Sequence, residues 1–492
     1  MKKKTNKKFT ASKKRLVLSL ACVSALATFA NATNTGVDQS NADKTVVTGS
    51  SDVVITGPIS GAALDINGFS GGKNITINSG VTIGSITDSV SPDNSNVGKA
   101  HSGGFSGTFL NQGTITGGVE IKNFIVSGGE TATFKNDGSM GYLHFDKIGV
   151  NPTNSGANAV ITNNGTIEGD FSAKLVDVST SKKGSGASVS ITNAGTIGGN
   201  IVLNKVNVAI VNGSGDATFT LNNVANATIK GSVNIDELVV YNVSGAGDFG
   251  KVTASIKNEG TINGDMNIRS IDFKSNGVSG GSVNIGNSGT IKGYMTLGKV
   301  DILSESGSHT LDISNSGMLE GLKLNGNITL GAGDNKVSKG SSNLKISNSG
   351  TLGTFEIANG VTLDVSSGSA IISNTGSIAN WINNGTIKAE GASGSISVTN
   401  EGIIENFTNN GKIDTKTGFE NSGNITNFTN SKTGFISSIT NAAAAANAYI
   451  GTLNNAGKIT TIVNGGTSSY GTINTLVNTG SIGSGANTAA GV

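Results

Sequence analysis

The sequence is poor in the residues that usually build an enzyme core or a disulfide framework. One cysteine, three prolines and one tryptophan occur in 492 residues, aromatic residues make up 5% and charged residues 13%. A single cysteine, Cys22, excludes an internal disulfide. Scarce charge also argues against disorder, because disordered chains are charged and poor in β-branched residues, whereas 35% of this chain is hydrophobic. Only three histidines are present. His101, His144 and His309 lie far apart, beside no Gly-x-Ser-x-Gly phrase and without the short spacings of a zinc site. No catalytic residue, cofactor or metal is therefore expected. No helix-length apolar stripe occurs after the first 32 residues, and what fills the chain instead is Gly (73 residues), Asn, Ser and Thr, with Val and Ile returning in order.

The first residues differ from the rest. Lys2, Lys3, Lys4, Lys7, Lys8, Lys13, Lys14 and Arg15 precede an apolar run from Leu16 to Phe29, which ends in Ala30-Asn31-Ala32. A basic stretch, an apolar stretch shorter than the roughly 20 residues needed to span a bilayer, and small residues at a cleavage point together predict a secretory signal peptide. Ala30 and Ala32 are the expected cleavage-site residues, with export to the cell surface or beyond. A lipoprotein cut at Cys22 is disfavoured by Ser19, where a leucine is preferred. Without residues 1–32, 26 cations face 32 anions. The mature chain is then acidic, and nucleic acid is not an expected partner.

One phrase recurs along the mature chain. Ile161 to Ile167 reads Ile-Thr-Asn-Asn-Gly-Thr-Ile, and Ile191 to Ile197, Ile256 to Ile262 and Ile285 to Ile291 repeat it. Ile313 to Leu319 and Ile346 to Leu352 are further copies, and Leu221 to Ile229 carries two extra residues. Its asparagines suggest a column through positions 78, 111, 136, 163, 193, 258, 287, 315 and 348, at repeat lengths typical of stacked architectures. Each repeat also contains short alternating runs such as Ser188-Val189-Ser190-Ile191, which favour strands buried on one face. These features predict an all-β fold, a right-handed parallel β-helix. Asn163 and Gly165, Asn193 and Gly195, Asn258 and Gly260, Asn287 and Gly289, Asn315 and Gly317, and Asn348 and Gly350 are the expected turn residues. They are expected to take left-handed backbone angles at a sharp corner, with Asn stacked on Asn.

The repeats also suggest boundaries. A signal peptide at 1–32 leads to a cap and first coils at 33–74, coils of about 30 residues at 75–370, shorter coils at 371–485 and a tail at 486–492. In the shorter coils Asn374, Asn400, Asn421, Asn455 and Asn478 are expected to continue the column, with second corners at Asn383, Asn409, Asn430 and Asn464. Ala442 to Ala446 is expected to bulge from one coil. Gly/Ser/Lys stretches such as Ser181 to Gly186 are expected as loops on one side of a rod on the order of 80 Å long.

With its basic signal peptide, cysteine-free mature chain and Asn-x-Gly-Thr-Ile repeats over most of its length, the sequence resembles the passenger region of bacterial autotransporters. The resemblance implies a β-helical rod displayed at the cell surface as an adhesin, recognising host-cell or bacterial surface receptors or glycans. It also implies an outer-membrane translocator barrel. The segment from Gly471 to Val492 has no aromatic girdle, so that barrel is expected from a longer form of the chain. A polysaccharide-processing enzyme on the same fold and a toxin-like passenger are the alternatives. Gly213-Ser214-Gly215-Asp216, Gly245 to Asp248 and Gly331 to Asp334 echo calcium-roll phrases without their tandem spacing and are read as plain turns. Phe134, Phe219 and Phe428 are read as core, and Trp381 sits in the second-corner pattern.

Overall fold

The computed structural model describes residues 34–487 except 40–43, 48–51, 60, 62, 67–72, 89–106, 127–128, 153–154, 181–184, 212–213, 243–249, 276–279, 305–306, 332–339, 391–392, 445–446 and 467–468. The expected signal peptide, with Ala30 and Ala32, lies outside the described residues, as do His101 and most of the 486–492 tail.

Alternation in sequence becomes alternation in burial. Ala157–Asn163 places Ala157, Ala159, Ile161 and Asn163 inside and Asn158, Val160 and Thr162 outside. Three such strands make one turn of the chain. Ala187–Asn193, Thr196–Ile197 and Ile201–Ile210 pair, parallel and in register, with Ala157–Asn163, Thr166–Ile167 and Phe171–Thr180 below. They pair again with Ala217–Asn223, Thr228–Ile229 and Val233–Asn242 above. Because each residue lies over its counterpart, Ile167, Ile197, Ile229 and Ile262 form one continuous apolar column. The fold is a right-handed parallel β-helix.

The N-terminal edge is closed by a short antiparallel return. Val37–Asp38 runs against Lys44–Val47, and Thr35 bridges Val54. Asn34 fixes this return by accepting the Thr56 N–H at 2.9 Å and donating to the Pro58 carbonyl at 2.8 Å. Such a cover blunts the row of unpaired backbone groups that an edge strand otherwise presents.

The cross-section changes along the rod. Upstream, long strands such as Phe171–Thr180 and Ile201–Ile210 pass the second corner with an apolar column there: Ala173, Leu203, Ile235, Ile268, Leu297, Leu324 and Ile357. At Asn383 this column turns into asparagine and stays so through Asn409, Asn430, Asn455 and Asn478. A second Asn-x-Gly turn then shortens the coil. Near the end, Phe435–Asn441 spans in one strand what Lys412–Asp414 and Phe419–Asn421 built as two, and the coils become two-sided.

Three registers correct the sequence reading. Asn111 lies over Ile77, not Asn78, so the asparagine column starts at Asn111. It passes through Asn223, the degenerate repeat. Downstream it runs through Asn441 and Asn464, whereas Asn455 and Asn478 belong to the second column. Spacing alone joins two columns that share one phrase. Of the expected bulge, Ala442 to Ala444 are described, and Ala443 pairs with Tyr470.

The core follows from these columns. Trp381 is buried among Phe355, Phe407 and Phe419, with ring centroids 4.9, 5.7 and 5.8 Å away, and Phe407 stacks on Phe428 at 4.3 Å. Tilted and edge-on pairs of this kind are favourable beyond their buried area.

Candidate functional site

The expected turn residues meet in one structure along the rod. Each asparagine ends a strand with its side chain turned inward, and its Nδ2 donates to Oδ1 of the asparagine one coil further on. Asn163 donates to Asn193, Asn193 to Asn223, Asn258 to Asn287 and Asn287 to Asn315 at 2.8 Å, and Asn315 to Asn348 at 2.7 Å. From Asn111 to Asn464 thirteen such bonds run in the same direction. Four more join Asn383 to Asn478. The second Nδ2 hydrogen is used as well, as in Asn163 to the Thr196 carbonyl at 3.1 Å. Within each ladder the buried amides are thereby paired, apart from Oδ1 of Asn383 where the second ladder begins, and aligned hydrogen bonds polarise one another.

The backbone reason for Asn-x-Gly differs from the expected one. Among the described residues, Asn226 alone of the non-glycines takes a positive φ (69°), and Gly165, Gly195, Gly260, Gly289, Gly317 and Gly350 do not. Their glycine is required by approach. The Asn163 carbonyl accepts both the Ala194 and Gly195 N–H groups, at 2.7 and 3.0 Å. That draws the next turn so close that a Cβ on Gly195 would overlap the Gly165 carbonyl; Gly289, Gly317 and Gly350 are blocked in the same way by Gly260, Gly289 and Gly317. Left-handed residues occur instead where the corner is two residues longer: Gly80 (φ 79°), Asn226 and Gly360 (φ 78°) hold equivalent places. Each such turn closes by a short hydrogen bond, as in Ala227 N–H to the Val224 carbonyl at 3.0 Å.

These corners build the rod, and their asparagines are buried. Groups able to meet a partner lie outside. One outer band lies just before the second corner, where a further recurring phrase, Ile-x-Gly-x, places Asp170, Asn200, Ser232 and Asp265 in successive coils. Each side-chain oxygen accepts a backbone N–H from the next coil: Asp170 from Asn200 at 2.6 Å, Asn200 from Ser232 at 2.8 Å, Ser232 from Asp265 at 3.0 Å and Asp265 from Tyr294 at 2.8 Å. Tyrosines stand at both ends of this row. Tyr142 is 41% exposed with its ring over Gly118, and Tyr294 is 37% exposed with its ring over Gly321. Tyr142 Oη donates to Glu120 at 2.6 Å, which pushes its phenol pKa up.

At the Tyr142 end sits a polar cluster that the sequence did not announce. His144 Nδ1 lies 2.7 Å from Ser172 Oγ, and Nε2 lies 3.2 Å from Asp146 Oδ1. Lys174 pairs with Asp146 at 2.6 Å. Desolvation opposes ionisation of Asp146, but hydrogen bonds from Lys174 and His144 hold its carboxyl below the usual range. The connectivity is that of a serine–histidine–aspartate relay, with the ring nitrogens exchanged relative to the usual one. An oxyanion would need free donors nearby. The neighbouring Leu143 and Gly169 N–H groups are already given to the Asp170 and Gly141 carbonyls, at 3.0 and 2.6 Å. Parallel register brings this set together from two coils: Ser172 lies directly above His144, and Asp146 two residues along the same strand.

His309 is different in kind. It is fully buried beside Gly281, where an added Cβ would overlap Val240 rather than the ring, and it packs against Phe273 at 5.3 Å. Nδ1 accepts the Gly281 N–H at 2.9 Å, and burial lowers its pKa to about 4. Asp216, the one described carboxylate of the three calcium-like phrases, accepts the Lys251 N–H at 2.7 Å. Among the described residues no group of three or more His, Cys, Asp or Glu side chains is placed to hold a metal ion.

No protein-family model, curated protein or solved structure matches the chain.

Proposed function

We propose that the chain is an exported, cell-surface β-helical rod of the autotransporter-passenger kind, acting as an adhesin through its coil faces and loops. The observation that carries this reading is the division of labour along every coil. Inward side chains are taken up by the apolar columns and the asparagine ladders, while the outward ones from Ala157 to Asn287, mostly Ser, Thr and Asn, lie in register from coil to coil. A repeating outer surface suits many weak, simultaneous contacts, whose avidity exceeds that of any single one. The basic, then apolar, leader supports export.

Deleting the gene in the producing cells and restoring it tests the reading. Attachment to host cells, or of cells to each other, is expected to fall and to return with the gene. Unchanged attachment in both assays would remove the adhesin function.

The Ser172–His144–Asp146 contacts favour a hydrolytic second reading. A fluorophosphonate probe that labels Ser172 in the wild-type chain and not in His144→Ala would support it.

A further inference from the structure

We infer that the outer band between Tyr142 and Tyr294 binds an extended neutral oligosaccharide lying along the rod axis. The inference rests on the interaction-rod reading and names its ligand class. Three observations carry it.

The first is the pair of rings. Tyr142 and Tyr294 are both partly exposed, and each ring is seated over a glycine that leaves it room, Gly118 one coil before and Gly321 one coil after. The rings thus lean away from the four coils between them and leave those coils clear. An aromatic ring seated on backbone presents apolar surface at low entropic cost, which suits stacking against the C–H face of a sugar.

The second is spacing. Five register steps separate the two tyrosines, through Asp170, Asn200, Ser232 and Asp265. At about 4.8 Å per step their backbone positions stand roughly 24 Å apart and the outward-leaning rings up to roughly 34 Å, the reach of about five to seven sugar units in an extended chain.

The third is chemistry. Between the rings the row offers carboxylate, amide and hydroxyl groups, and the neighbouring outward column adds Ser172, Asn234, Asn267 and Thr296, with the apolar Val202 between Ser172 and Asn234. Asn267 donates to Asn234 at 2.9 Å, so these amides are already aligned along the axis. Side-chain oxygens that accept one backbone N–H keep a lone pair for a sugar hydroxyl. Neither column contains Lys or Arg from Tyr142 to Tyr294 or from His144 to Thr296. A sulfated or otherwise anionic glycan lying on these two columns would meet Asp170 and Asp265, while the surrounding cations Lys174, Lys230, Arg269 and Lys292 stand outside them.

The test is titration calorimetry of the full-length exported protein with cellohexaose, chitohexaose and maltohexaose, their disaccharides, and a heparin hexasaccharide. At least one neutral hexasaccharide is expected to bind, at least tenfold more tightly than its disaccharide, and heparin is not. Tyr142→Ala and Tyr294→Ala should each weaken binding about tenfold, and the double variant should abolish it. Unchanged Trp381 fluorescence and circular dichroism would show that these variants keep the fold. Binding that survives in the folded double variant, binding of heparin alone, or no binding of any neutral hexasaccharide would overturn the inference. Cells carrying the double variant separate the two levels of argument: undiminished attachment with the gene still required keeps the adhesin reading and removes this site. Attachment independent of the gene removes the reading itself.

Discussion

The amide of Asn193 accepts from Asn163 and donates to Asn223, both at 2.8 Å, so one buried side chain closes a hydrogen bond on each side of its coil. Replacing it by alanine leaves a buried donor on Asn163 and a buried acceptor on Asn223. The expected loss is about 2–6 kcal/mol, since each of the two unsatisfied groups costs about 1–3. Asn193→Asp should cost more at neutral pH, because the carboxylate cannot donate to Asn223 and buries a charge. Urea unfolding followed by far-ultraviolet circular dichroism measures both; equal stability of wild type and Asn193→Ala would contradict the ladder's role.

Glycine at the corner is a matter of contact at Gly195 and of backbone angle at Gly80, and the two should respond differently to alanine. Gly195→Ala must push the Gly165 carbonyl away and is expected to cost about 3 kcal/mol. A Cβ on Gly80 meets nothing within 4 Å, so Gly80→Ala should cost only the left-handed strain, about 1–2 kcal/mol. Thermal unfolding of the pair ranks them, and a larger loss at Gly80 would reverse the argument.

His309 makes stability depend on pH. Its folded pKa of about 4 lies below the ordinary value of 6.5, so the folded state prefers the neutral ring. The stabilisation is complete above pH 6.5 and is lost as pH falls toward 4, by about 3 kcal/mol over that interval. The slope of stability against pH in this window should flatten in His309→Gln. A slope of the same size in the variant would place the titrating group elsewhere.

Ile197 stacks between Ile167 and Ile229 and is 2% exposed. Ile197→Asp puts an unpaired charge into the apolar column, at an expected cost of several kcal/mol, and opens neighbouring coils because each depends on the next. Limited proteolysis should cut this variant within the repeats at enzyme levels that leave the wild type whole.

The repeat was legible because stacking forces the same residue types into the same place. Alternation of apolar and hydroxyl residues gave the strands, and the Asn-Gly phrase gave the corner. Backbone geometry was harder to read. Asn and Gly together suggested left-handed angles, whereas close approach of successive carbonyls is what excludes a side chain at Gly195. Register also escapes counting: the same phrase serves two columns after Asn383, and only pairing assigns Asn455 to one and Asn464 to the other. The outer band does carry a signal in the sequence, the glycine two residues after Ile167, Ile229, Ile262 and Ile291, followed by Asp170, Ser232, Asp265 and Tyr294. His144 and Ser172 lie 28 residues apart, and no local motif joins residues that meet only through the stacking of coils.

Display at the surface is the central claim, and protease treatment of intact producing cells, followed by mass spectrometry of the released and retained peptides, tests it most directly. The account predicts an amino terminus at Thr33 and release of peptides from the coils between Asn111 and Asn464 while cytoplasmic and periplasmic markers stay intact. A product that keeps Met1 to Ala32 and is protected from external protease until the cells are lysed would contradict it.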